Sequence, residues 1–199
     1  EAGFMSMNGT HNSGPVKMPV ALIDVLAGHQ LKEGLLVALI ERLKSNKGRK
    51  VSVSLYESAV ASLANQATNW LMGKCIAKPI GSIHPNICPY GELFTTSNGK
   101  LITFAIGSNK QFRNLCKTLN LPQLVSEDKF KDNLSRVKNR IELEGLISIK
   151  VREFNSVDLI SELHKQFVPV AKINSIAEVF QDPKAKAMVL EEVIDGVKT

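Results

Sequence analysis

The sequence predicts an α/β protein in two parts, because helical and strand-like patterns alternate along it. An apolar helical period runs over 24–44, and alternating polar and β-branched residues follow at 50–55. A second helical period occupies 56–72. Helix, strand and helix with almost no loop between them are typical of one part of an α/β layered domain. Beyond residue 85, two strand-like runs joined by Ser-Asn-Gly and followed by helices predict a smaller α+β domain with a β-hairpin.

The composition is that of an ordinary globular protein. The chain has 199 residues, of which 44% are hydrophobic and 22% charged, which excludes wholesale disorder and collagen-like repeats. Its apolar runs are too short to cross a bilayer, and its first residues lack the basic and apolar regions of a signal peptide. Three widely spaced cysteines favour a reducing compartment. We therefore expect a cytoplasmic protein, or one of the mitochondrial or peroxisomal matrix in a eukaryote.

The charge pattern argues against a nucleic-acid partner. The net charge of +6 comes from 25 basic and 19 acidic side chains, and the two signs alternate over 136–154. Mixed charges at helical spacing are typical of a solvated face, and no zinc-finger or RNA-binding signature accompanies them. The four histidines lie far apart, without a metal-ligand spacing around them. We expect no nucleic acid, no membrane and no metal.

Composition and hydrophobic pattern divide the chain into four segments. Asp24 is predicted to cap the first helix, and Gly48 to end it in the left-handed conformation. Glycines and prolines over 73–85 predict a linker. The predicted segments are part of a large α/β domain (1–72), the linker (73–85), the small α+β domain (86–167), and a return linker with helices (168–199).

The small domain is predicted element by element. The strands are expected at 90–95 and 100–106, a helix capped by Asn109 at 109–119, a long helix broken at Gly145 over 134–154, and another helix from Asn155 to about residue 166. Pro169 restricts 168–173 to an edge strand or an extended linker. The tail is predicted to hold a helix from 174, a stop at 182–183 and a final helix before Gly196.

Asp24 is the candidate functional residue, because it is a charged side chain within the apolar segment PVALIDVLAG. One interpretation is a structural helix cap. The other is a nucleophile: the positive end of a helix keeps a carboxylate ionised, and the carboxylate can attack an activated acyl group. Ala27 and Gly28, in the next turn, leave space for a bulky substrate.

Several motifs in order resemble a known family. They are PVALIDVLAG, LLVALIERLKSNKGRKVSVSLYESA, SIHPNICPYGELFTTSNGKLITFAIGSNKQFRNLC, RVKNRIELEGLI and QDPKAKA. Together they are similar to the signature of the class III CoA transferases, the carnitine dehydratase and bile-acid-inducible protein family. The likeness runs through almost all of the chain.

The resemblance implies transfer of CoA between an acyl-CoA and a small carboxylic acid. Asp24 would be the nucleophile and form an aspartyl-CoA thioester by way of anhydrides, with coenzyme A as substrate and no metal. The loop GSIHPNICPY would cover the site, with Gly81, His84, Asn86 and Tyr90 as substrate contacts. The implied fold is the C-terminal part of an open, Rossmann-like α/β domain plus the small domain. It also implies an interlocked homodimer and a nucleotide-binding segment ahead of this region.

Three alternatives to this reading stay open. The chain resembles acyl-CoA racemases and dehydratase-like relatives as well, although Asn109 stands nearest to the racemases' carboxylate and cannot abstract a proton. A catalytically silent fragment acting only in dimer assembly is another class of function. For His84, the alternative to substrate contact is a half-exposed loop histidine beside Pro85.

Overall fold

The computed structural model describes residues 1–198. The chain forms two compact units, Glu1–Gly81 and a second unit that begins at Ser82. The division falls within the segment 73–85, where the sequence predicts a linker.

The first unit consists of helices. They are α1 (Phe4–Met7), α2 (Leu22–Ser45), α3 (Leu55–Ala61) and α4 (Ala64–Gly73). The prediction that Asp24 is an N-cap is wrong, because Ala21 holds that position and Asp24 lies in the first turn of α2. Gly48 does not end the helix either. Asn46 does so with a φ of 55°, since asparagine tolerates the left-handed conformation.

The predicted strand at 50–55 is not formed. Residues 51–54 have no regular structure, because a strand needs a hydrogen-bonded neighbour and residues 1–81 supply none. The segment runs close to α2, where a Cβ added to Gly34 would lie 2.7 Å from Val51 Cγ1. The predicted helix over 56–72 is divided into α3 and α4, and Ala64, the first residue of α4, has a φ of 48°.

The second unit contains a three-stranded antiparallel sheet. Its strands β1 (Tyr90–Thr95), β2 (Leu101–Ala105) and β3 (Val170–Lys172) lie in that order. The predicted hairpin is therefore confirmed, and its turn closes with Gly99 at a φ of 73°. Residues 170–172 form an edge strand, which decides between the two alternatives at 168–173.

Four α-helices and one 3₁₀ turn connect or follow these strands. They are α5 (Asn109–Thr118), the 3₁₀ turn Pro122–Val125, α6 (Asn133–Lys138), α7 (Arg140–Val151) and α8 (Ser156–Lys165). Asn109 is not the cap of α5, because Ser108 Oγ accepts the hydrogen bond from the Gln111 amide at 3.2 Å. The predicted long helix breaks at Asn139, while Gly145 continues α7. The helix predicted from Asn155 is α8, and Asn155 is its N-cap.

The core of the second unit lies between one face of the sheet and the helices. Alternate strand residues point into it, among them Phe94, Ile102 and Phe104, and all three are buried. Helices α5, α7 and α8 contribute buried leucines, isoleucines and Phe112. Val168 and Val170 are also buried there, so this core extends beyond residue 167.

The tail holds two short helices and a hairpin. They are α9 (Ile176–Val179), α10 (Pro183–Lys186), β4 (Val193–Ile194) and β5 (Val197–Lys198). Asp182 begins α10 by accepting from the Lys184 amide, so the predicted stop is a helix start. The predicted final helix is a β-hairpin, because Asp195 and Gly196 both adopt positive φ, as a two-residue hairpin turn requires. Among residues 1–198, no helix has the length and apolar character that crossing a membrane demands.

Candidate active site

Asp24 lies exposed in the first turn of the 24-residue helix α2. The N-cap residue, Ala21, makes no side-chain hydrogen bond to the first turn. The backbone N–H groups at such an end have no partner within the helix and favour a negatively charged group nearby. Within the described residues the Asp24 carboxylate has neither a hydrogen-bond partner nor an ion-pair partner, so its oxygens are open to a ligand.

Gly28 lies one helical turn beyond Asp24, on the same side of α2. It is exposed, and a Cβ built on it would meet no atom within 4 Å. The structure therefore brings these two predicted site residues together beside open space.

Gly81 closes the first unit. Its amide donates to the Gly9 carbonyl oxygen at 2.8 Å, and its φ of 74° is one that glycine adopts without strain. The contacts of Gly81 in the structure are thus those of a turn residue.

His84, Asn86 and Tyr90 lie together in the second unit. The His84 amide donates to the Tyr90 carbonyl oxygen at 2.8 Å, and the two ring centroids are 5.1 Å apart. The Asn86 amide donates to His84 Nδ1 at 3.1 Å. We call residues 84–90 the polar loop. Three of the predicted substrate-contact residues therefore lie in this one loop.

The environment of His84 favours the neutral imidazole. Partial burial lowers the pKa of His84 most, the Arg140 charge lowers it further, and Glu92 opposes both. Because Nδ1 accepts a hydrogen bond, the neutral ring carries its proton on Nε2. The ring therefore presents a donor at neutral pH.

Two arginines that hold the polar loop escaped the sequence analysis. Arg140 Nη2 donates to the carbonyl oxygens of His84, at 2.6 Å, and Ile87, at 3.0 Å. Arg136 Nε donates to the Cys88 carbonyl oxygen at 2.9 Å. Hydrogen-bond partners some 50 residues apart leave no periodic signal in the sequence. The one signal that could have found these arginines is the motif RVKNR, which places them four residues apart, on one side of a helix.

Asn109 has a structural role beside Arg136. Its Oδ1 accepts from Arg136 Nη2 at 3.0 Å, while the guanidinium lies 4.4 Å from the Phe112 ring centroid. Arg136 is 1% exposed, so these contacts satisfy a buried charge.

Cys88 is a buried thiol without nucleophilic character at neutral pH. Burial, reinforced by Glu92, raises the pKa of Cys88 to about 12. Reactive thiols need the opposite shift, so Cys88 is structural. Among the described residues, no group of three or more His, Cys, Asp or Glu side chains is placed to hold a metal ion.

An apolar cavity of about 460 Å³ lies within the first unit. Val60, Leu63, Trp70 and Leu71 line it, whereas Asp24 and Gly28 do not. This cavity is therefore separate from the candidate nucleophile.

The fold and these residues define a mixed α/β protein with an exposed carboxylate at a helix terminus and an anchored polar loop. A sequence model of CoA-transferase family III matches residues 1–198. The chain belongs to this family.

Proteins named as CoA-transferases are similar to this chain over nearly all of its length. The chain is 34% identical over 206 residues to the succinate–glutarate CoA-transferase of Agrobacterium fabrum, covering all of this chain and 51% of that protein. It is 34% identical over 183 residues to the human succinyl-CoA:glutarate CoA-transferase, covering 92% of this chain and 41% of that protein. The chain thus spans about half the length of these relatives, or less.

Solved structures match over the same extent. A CaiB/BaiF family protein from Brucella suis superposes with a TM-score of 0.71 at 34% identity, covering 99% of this chain and 52% of that one. Rv3272 from Mycobacterium tuberculosis matches with a TM-score of 0.81 at 22% identity, covering 100% and 51%. The second likeness concerns the fold alone.

Proposed function

We propose that the protein transfers CoA from an acyl-CoA to a carboxylic acid, with Asp24 as the nucleophile. The observation that carries the proposal is an exposed, unpaired carboxylate at the start of α2, in a chain of CoA-transferase family III. The names of the relatives favour succinyl-CoA and small dicarboxylic acids as substrates.

The reaction proceeds by two anhydrides and one thioester. An Asp24 oxygen attacks the acyl carbonyl carbon, the C–S bond breaks, and CoA leaves as the thiolate. The thiolate attacks the aspartyl carbonyl carbon of the anhydride and releases the donor acid. The acceptor carboxylate then displaces CoA from Asp24, and the thiolate attacks the acceptor's acyl carbon, which frees Asp24. A covalent relay of this kind divides one difficult exchange into easier steps.

The local structure supports each requirement of this chemistry. Asp24 lies exposed in the first turn of α2, where its oxygens have no partner among residues 1–198. Open space at Gly28 admits a bulky acyl group. We assign substrate contact to Gly81 and to the polar loop residues His84, Asn86 and Tyr90.

Racemase activity is the less favoured alternative. Asn109 cannot abstract an α-proton, and its side-chain oxygen is engaged by Arg136. A silent fragment acting in dimer assembly is favoured by one observation, the exposed apolar side chains along α2, which include Leu35, Leu36 and Leu39. Apolar surface of this extent marks an interaction site, which also supports the proposed homodimer.

We further propose that Glu1–Gly81 contributes the C-terminal part of an open, Rossmann-like α/β domain. The segment 51–54 supports this assignment: it has no strand partner within residues 1–81, and the rest of the domain could supply one. Location in the cytoplasm, or in an organelle matrix, is part of the same proposal.

Steady-state transfer tests the function directly. The complete gene product is supplied with succinyl-CoA and glutarate, and glutaryl-CoA is measured. Asp24→Asn should abolish transfer. Glu33→Gln makes the same change, carboxylate to amide, at an exposed position of the same helix and should leave transfer unchanged. Undiminished transfer by Asp24→Asn would reject the nucleophile. Absence of transfer with a panel of acyl-CoAs and acids, together with α-proton exchange, would favour the racemase.

A further inference from the structure

The backbone of the polar loop is held by side chains rather than by secondary structure. Asn133 donates from Nδ2 to the Asn86 carbonyl oxygen at 2.8 Å, and its Oδ1 accepts from the Cys88 amide at 3.2 Å. With Arg136 and Arg140, three residues of the α6–α7 segment, spaced three and four positions apart, bind the loop. A loop whose backbone groups are hydrogen-bonded to fixed side chains is preorganised.

Of the side chains that hold the loop, Arg140 is the one that binds the His84 carbonyl oxygen. Besides its bonds to the loop carbonyls, its Nη1 lies 3.3 Å from Glu92 Oε1, with the two side chains 12% and 1% exposed. Glu92 Oε2 in turn accepts from the Tyr90 amide at 2.5 Å. A buried ion pair is a weak source of stability but a good source of specific geometry. The pair therefore fixes both ends of the loop, at His84 and at Tyr90.

The His84 ring is oriented by the same loop. Its Nδ1 accepts from the Asn86 amide, and its ring lies beside that of Tyr90 at an interplanar angle of 55°. Within residues 1–198, Nε2 makes no hydrogen bond. The charged groups that face the ring are Arg140, on α7, and Glu92, on β1.

We propose that Arg140 is a positioning residue for His84: by binding the His84 and Ile87 carbonyl oxygens, it holds the loop so that the ring presents Nε2–H to a substrate oxygen. The ligand that suits a neutral N–H donor is the carboxylate or acyl oxygen of the acid. The identity of this ligand rests on the proposed function, whereas the positioning of His84 does not.

Nitrogen-15 NMR of this chain tests the positioning. The His84 signals are assigned with His84→Gln. In the unmodified chain at neutral pH, Nε2 should be protonated and Nδ1 not. Arg140→Met should raise the pKa of His84, because it removes a positive charge and leaves Glu92 unopposed, while Arg140→Lys, which keeps the charge, should raise it less. Glu92→Gln should lower it.

The fold of each variant is checked by the thiol of Cys116, which is buried in α5 and should stay unreactive in a folded variant. An Nδ1–H tautomer in the unmodified chain would overturn the proposal, and this result needs no variant to fold. An unchanged His84 pKa in a folded Arg140→Met would also overturn it.

Transfer kinetics of the complete gene product test the donor itself. His84→Gln places an amide donor near the position of Nε2, whereas His84→Asn places one near Nδ1. We expect His84→Asn to raise the KM for the acid by about 10- to 100-fold, the loss of one hydrogen bond to a charged group, and His84→Gln to raise it less. Equal KM values for both variants and the parent would overturn the donor role. Absence of any transfer by the parent would reject the proposed function and leave the NMR result to decide the positioning.

Discussion

The guanidinium of Arg140 lies 3.3 Å from the carboxylate of Glu92, and neither charge has substantial access to water. Arg140 also binds two carbonyl oxygens of residues 84–90. The pair thus connects the start of α7 to β1 and to the loop that carries His84. Removal of either side chain would leave the other buried without its ion-pair partner.

The first prediction concerns this ion pair. Arg140→Met should lower the free energy of unfolding by about 3–5 kcal/mol, because Glu92 then stays buried and unpaired. The double variant Arg140→Met/Glu92→Gln should lose less than the sum of the two single variants. Urea unfolding measures both effects. Additive losses would show that the two side chains do not interact.

The second prediction concerns Gly91, the second residue of β1, next to the polar loop. Its φ is 92°, and an added Cβ would lie 2.0 Å from the Ser82 carbonyl oxygen. Gly91→Ala should therefore destabilise the protein by at least about 2 kcal/mol in thermal or urea unfolding. Gly145→Ala is the matched control: the site is helical and open, so it should stabilise by about 0.5–1 kcal/mol. Equal effects would contradict this account of the loop base.

The third prediction concerns the thiols. Cys75 is exposed, whereas burial raises the pKa of Cys88 and of Cys116 to about 12. A disulfide reagent at pH 8 should therefore modify one thiol rapidly, and Cys75→Ser should remove that reaction. Rapid modification of Cys88, located by peptide mass spectrometry, would show that the loop opens readily.

The fourth prediction is a pH dependence at the tail. The Ser175 amide, foremost, and Lys172 lower the pKa of Glu178 to about 2. A depressed carboxyl pKa means that the contacts of Glu178 are present above its ordinary pKa and are lost as the pH falls toward 2. Carbon-13 NMR titration should show ionised Glu178 at pH 3. Lys172→Met should raise the pKa, and Lys165→Met, on α8, should not.

Local patterns predicted the elements whose signals are local. The hairpin of β1 and β2 and the cap of α8 at Asn155 follow from turn and capping chemistry. The Asp195-Gly196 hairpin had an equally local signal, because Asp-Gly between apolar residues is a strong turn signature. The prediction of a final helix overlooked it.

Contacts between distant segments were out of reach. At Asn139, where the helix predicted over 134–154 divides, the side-chain Nδ2 donates to the Lys129 carbonyl oxygen, ten residues away, at 3.2 Å and to the Ser135 carbonyl oxygen at 2.9 Å. Periodicity does not report such competition with the backbone. The register of Arg136 and Arg140 on the loop depends on how α6 and α7 pack against β1. For Asp24, the sequence singled out the residue but placed it wrongly, as a cap instead of in the first turn.

The proposed function depends most on a covalent bond at Asp24. The complete gene product is incubated with succinyl-CoA, treated with hydroxylamine and digested, and the peptide that contains Asp24 is analysed by mass spectrometry. We predict an aspartyl hydroxamate at Asp24, formed only in the presence of the acyl-CoA and absent from Asp24→Asn. An enzyme that turns over acyl-CoA while the Asp24 peptide stays unmodified, or carries the hydroxamate at another carboxylate, would contradict the account.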